Sequence, residues 1–112
     1  MPKAAQQSTR RPRATVPAHR LPFVAPLPPA ERRDGRTWNF WHAPATGNDI
    51  ADYAAGRRHA DLLLYLLRDE GDHGLLGWAV RDMIRAGTFG PVEIAFLGRI
   101  ARAARLGAFV AD

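Results

Sequence analysis

Seven of the nine prolines in this 112-residue chain fall within its first 29 positions: Pro2, Pro12, Pro17, Pro22, Pro26, Pro28 and Pro29. Each removes a backbone donor, fixes its own φ and pushes the preceding residue out of the α region. Between Pro2 and Pro29 no window of ten residues is left in which a helix could propagate. The segment is also poor in large apolar side chains, so little offsets the entropy of ordering it. Residues 1–35 are therefore expected to form a disordered tail, with local polyproline II character across RLPFVAPLPP.

Charge divides the chain at nearly the same point. Eight basic residues against two acids give residues 1–36 a formal charge of +6, whereas eight arginines against nine acids leave residues 37–112 at −1. Fifteen of the sixteen basic residues are arginine. With the many alanines, this reads as the coding bias of a high-GC bacterium, although guanidinium also binds phosphate and carboxylate bidentately.

Beyond Gly35 the pattern becomes that of a folded unit, residues 36–112. TWNFWHAPA at 37–45 holds Trp38, Phe40 and Trp41 and has no evident partner strand, so a loop roofing the core is expected. Asn48 then offers an N-cap, Thr46 and Asp49 a weak capping box, and Asp49 and Asp52 an acidic first turn. Apolar residues recur at Ile50, Tyr53, Ala54, Ala60, Leu63, Leu64 and Leu67, and Gly71 can end the helix. A second helix follows, capped by Asp72, burying Leu75, Leu76, Ala79, Val80, Met83 and Ile84, and closed by Gly87. Pro91 suits the first position of a third, whose apolar face is Val92, Ala95, Phe96, Ile100, Ala103 and Ala104. Gly107 is expected to end it. The spacing predicts helices over 48–70, 73–86 and 91–106, an all-α three-helix domain with an aromatic loop before it.

Little in the sequence points to chemistry. There is no cysteine, hence no disulfide, thiolate metal site or cysteine nucleophile. His19, His42, His59 and His73 make no i, i+4 pair, and Asp49, Asp52 and Asp61 lack the alternation of a calcium loop. Ser8, the one serine, lies in the tail, where no triad could be held rigid. No glycine-rich phosphate loop is present, and DEGDHG reads as a turn between helices. No enzymatic activity, cofactor or metal is expected. Nor is a membrane span, since the longest apolar run is Leu62 to Leu67, and no secretory signal follows the basic N-terminus. A bacterial cytoplasmic protein is the expectation.

What remains is recognition. An extended proline segment loses little entropy on docking in a partner's groove, and tryptophan and arginine are frequent interface anchors. The expected function is a small regulatory or interaction protein that binds a protein partner through its tail and aromatic loop. The contact residues would be Arg10, Arg11, Arg13, Arg20, Leu21, Phe23, Arg32, Arg33, Arg36, Trp38 and Trp41. The alternative is a nucleic-acid-associated protein whose arginine-rich tail grips phosphates irrespective of sequence. A helix-turn-helix is disfavoured, because the would-be recognition helix opens on Pro91, Val92 and Glu93. The Val92, Phe96, Ile100 face of helix 91–106 could also pair the domain into a homodimer.

Overall fold

The computed structural model describes residues 18–71 and 73–111, with side chains as far as residue 107. Three helices, α1 (Asp49–Asp69), α2 (Leu75–Ala86) and α3 (Pro91–Ala111), make up most of it. A two-residue antiparallel ladder joins β1 (Ala25–Pro26) to β2 (Trp38–Asn39), with Ala25 opposite Asn39 and Pro26 opposite Trp38. The all-α, three-helix architecture is the one the periodicity predicts.

The helix ends follow local chemistry. Asn48 caps α1, its side chain accepting from the Ala51 N–H at 3.0 Å. Gly87 ends α2 in the left-handed region (φ 71°), its N–H shared between the Met83 and Ile84 carbonyls. Pro91 opens α3, and Gly74 rather than Asp72 precedes α2. The far end of α3 differs from expectation, running past Gly107 to Ala111. A glycine inside a helix costs only about 1 kcal/mol relative to alanine, and the alanines, Leu106 and Phe109 around it are adequate helix formers.

The larger correction concerns the tail. Residues 1–17 lie outside the described residues, but residues 18–35 are neither disordered nor separate from the domain. They form a strap across the helices. Leu21, Phe23, Val24 and Leu27 are buried, Phe23 completely. The strap's backbone groups find partners without a helix: His42 N–H donates to the Phe23 carbonyl at 2.8 Å, and Leu27 N–H to that of Thr37 at 2.9 Å. Turns at Ala18–Arg20 and Pro29–Glu31 take up others. The prolines that forbid a helix also restrict the unfolded strap, which lowers the entropy lost on docking. The boundary expected at 35/36 thus does not exist; the folded unit begins no later than Ala18.

The core unites Leu21, Phe23 and Val24 of the strap with Trp41, with Ala60, Leu63 and Leu66 of α1, with Leu75, Ala79 and Met83 of α2, and with Val92 and Phe96 of α3. Helices α1 and α3 form the main packing pair and run in the same direction, since Gly56 faces Val92, Ala95 and Phe96 while Asp61 faces Arg99. A Cβ at Gly56 would overlap the Val92 carbonyl, so glycine sets how closely the two helices approach. Val92 and Phe96, expected on a face that could pair two copies, are core residues, and Ile100 beside them is partly buried against the same core. Ile50 and Ile84, expected in the core, are instead 83% and 73% exposed.

Candidate functional site

Residues 36–47 join the strap to α1, and each helix holds them by one buried carboxylate. Asp82 of α2 accepts from the Phe40 N–H at 2.8 Å and from Nη2 of Arg36 at 3.1 Å. Its own neighbour Arg81 adds Nε at 3.1 Å. Glu93 of α3 accepts from the Trp41 indole Nε1–H and from the Gly90 N–H, both at 2.7 Å. Asp52 of α1 accepts from the Thr46 N–H at 3.0 Å, the Thr46 hydroxyl at 2.8 Å and the Gly47 N–H at 3.3 Å. Thr46 thus serves Asp52 rather than a capping box with Asp49. The Thr46 N–H, then the hydroxyl, hold the Asp52 carboxyl below its ordinary range. Buried carboxylates of this kind persist because several donors satisfy each one.

The pinned loop sends its three rings to different places. Trp41 turns inward against Phe96 and Phe23, with ring centroids 4.5 and 5.4 Å away. His59 of α1 closes the same cluster, 5.2 Å from Phe23. Its Nδ1 is buried without a partner. Burial, then the charge of Arg58, depress its pKa below the ordinary value. Trp38 turns the other way and stacks on His19 at 5.3 Å. Phe40 meets Trp78 of α2 at 5.0 Å.

Trp38, Phe40 and Trp78 line a groove of about 260 Å³, completed by Asp34, Gly35, Arg36, Thr37 and Arg81. Trp78 is 51% exposed on its rim. Both arginines are oriented by Asp82 beneath the groove, whose side chain is almost wholly buried. Asp34, in the left-handed region at φ 55°, and Gly35 turn the chain sharply there. The Arg36 N–H donates to the Arg33 carbonyl in the same turn. The lining offers flat π faces and guanidinium donors, a set suited to gripping a ligand.

The structure redistributes the sequence-derived contact set. Arg10, Arg11 and Arg13 lie outside the described residues. Leu21, Phe23 and Trp41 are core residues and have no surface to offer a partner. Arg20, Arg32 and Arg33 are exposed, Arg32 donating to the Leu27 carbonyl at 2.9 Å. Only Arg36 and Trp38 meet in the groove. Phe40, a ring of the aromatic loop expected to take part in recognition, completes it together with Trp78 and Arg81 of α2, which the sequence reading did not single out. Trp78 carried a readable signal: it falls off the apolar stripe of its helix at Leu75, Ala79 and Met83.

Among the described residues no group of three or more His, Asp or Glu could hold a metal, and no helix is long and apolar enough to cross a membrane. No family model, curated protein or solved structure matches this chain.

Proposed function

We propose that the chain is a non-enzymatic interaction protein that holds a segment of a protein partner in the Trp38–Phe40–Trp78 groove. The observation that carries this reading is Trp78. A tryptophan half exposed on a helix, tilted against a second ring and flanked by two oriented arginines, has the makeup of an interface anchor. The guanidinium groups of Arg36 and Arg81 are set in place before any partner arrives, which lowers the ordering cost of binding. The complementary segment carries one large apolar side chain for the groove and carboxylates for Arg36 and Arg81. Absence of cysteine and the arginine- and alanine-rich composition fit a bacterial cytoplasm as its setting.

The test is affinity purification of the full chain after nuclease treatment, parent against Trp78→Ala, followed by titration of the captured partner. The expected result is a partner that survives nuclease and binds the variant about 30-fold more weakly, the roughly 2 kcal/mol of an interface anchor. Equal binding by the variant would rule out the groove. Release of everything by nuclease would favour the nucleic-acid alternative.

A further inference from the structure

Along the parallel pair α1 and α3 runs a shallow furrow. Tyr53 and Arg57 of α1 line one end with Ala95, Gly98, Arg99 and Arg102 of α3. The other end is lined by Asp61 and Leu64 with Arg99, Arg102, Ala103 and Leu106. Small residues at 95, 98 and 103 keep its floor open. Two cavities result, of about 220 and 300 Å³.

The furrow's charges are unbalanced in a particular way. Asp61 is the one acid in the lining. It is occupied by a bidentate pair with Arg99, Nε to Oδ1 at 2.9 Å and Nη2 to Oδ2 at 3.1 Å. The pair holds Asp61 ionised below its ordinary pKa, through the Arg99 hydrogen bonds first, and it fixes the Arg99 plane across the furrow. A guanidinium has five N–H donors, so three of those on Arg99 stay available. No carboxylate among the described residues pairs with Arg57 or Arg102. Three guanidinium groups against one spent carboxylate leave a local charge of +2. Tyr53, 38% exposed, presents part of its ring beside them.

We propose that this furrow binds the phosphodiester backbone of single-stranded nucleic acid. Arg57 and Arg102 take successive phosphates, Arg99 is held ready between them, and Tyr53 stacks on an unpaired base. The combination of a cationic track with an aromatic platform is what single strands require. A duplex keeps its bases stacked on one another and cannot use the ring. The site lies apart from the aromatic groove and does not depend on the reading of it.

The experiment is fluorescence anisotropy of a labelled 20-nucleotide oligothymidylate with the full chain, repeated from 50 to 200 mM NaCl. Arg57→Ala/Arg102→Ala is compared with the parent, and both are also measured with Arg10, Arg11 and Arg13 replaced by alanine to separate the N-terminal basic run. Losing two phosphate contacts lowers the salt slope by about 1.4 for a single strand. Over the fourfold rise in salt the parent therefore loses about sevenfold more affinity than the variant. The same difference is expected in both N-terminal backgrounds. Arg57→Lys/Arg102→Lys keeps the slope, and unchanged thermal melting shows that the exposed substitutions leave the fold intact. Binding by the alanine variant that equals the parent's overturns the proposal. So does a 20-base-pair duplex bound as tightly as the single strand.

Discussion

His59 sits where a polar ring is least comfortable, between Phe23 and Trp41 with Nδ1 facing no partner. Desolvation disfavours its charged form, so its folded-state pKa lies below the 6.5 of an ordinary histidine. The unfolded chain therefore binds the proton more readily than the folded one. Stability from this residue is complete above pH 6.5 and is lost as pH falls through the depressed folded value. Urea unfolding between pH 7.5 and 5 is expected to show stability declining with acidification, and His59→Leu to flatten that decline. Asp52 and Asp61, also depressed, add their losses only below their ordinary value of 3.8. From the sequence Asp52 was readable as a first-turn acid favoured by the helix dipole. Its three donors from Thr46 and Gly47 were not, because a loop's return to its own helix leaves no periodic mark. Asp82 and Glu93 were hidden for a related reason. A carboxylate on a helix reads as solvent-facing unless the distant group that meets it is known.

At the level of elements, Gly56 decides how α1 meets α3. In the sequence it looks like a blemish within a helix. Its use becomes visible only when Val92, Ala95 and Phe96 are seen against it. Gly56→Ala gains about 1 kcal/mol of helix propensity but overfills a contact where crowding costs about 1–3 kcal/mol. The backbone carbonyl of Val92 cannot turn aside as a flexible side chain would, so crowding wins. The melting temperature is expected to fall by roughly 4–8 °C, the response to about 1 kcal/mol in a domain of this size, as read by circular dichroism. The helices themselves were legible because their signals are local: Asn48, Gly87 and Pro91 act within one turn of where they stand. The strap was not. Its prolines rule out helix and point to disorder, whereas Leu21, Phe23, Val24 and Leu27, more apolar than an inert spacer requires, are the one sign that the segment folds back along the domain. The β2 partner was missing from the expectation for the same reason, since it lies in that strap.

Across the whole molecule, the strap makes the three helices incomplete by themselves. A chain beginning at Arg36 lacks four buried side chains and uncovers Trp41, Phe96 and His59. Completely burying one such apolar side chain contributes about 1.5–3 kcal/mol, so removing four exceeds or approaches the 5–15 kcal/mol that a typical domain has in total. The truncated chain is expected to lose its cooperative melt and near-ultraviolet dichroism, whereas one beginning at Ala18 retains both. Folding of the shorter form to a native-like melt would show that the strap is dispensable.

Two of the carboxylate anchors, Asp82 and Glu93, also fix a schedule for synthesis. Phe40 needs Asp82, 42 residues later, and Trp41 needs Glu93, 52 residues later. Contacts so far apart in the chain form only after long loops have closed. While the ribosome is still making α2, the rings of the loop and strap have no place to go. The last turn-and-a-half of translation to matter is the start of α3, whose emergence lets Glu93 and Phe96 close the core at once over a segment made long before. Until then Phe23 and Trp41 are open to whatever else in the cell binds aromatic side chains.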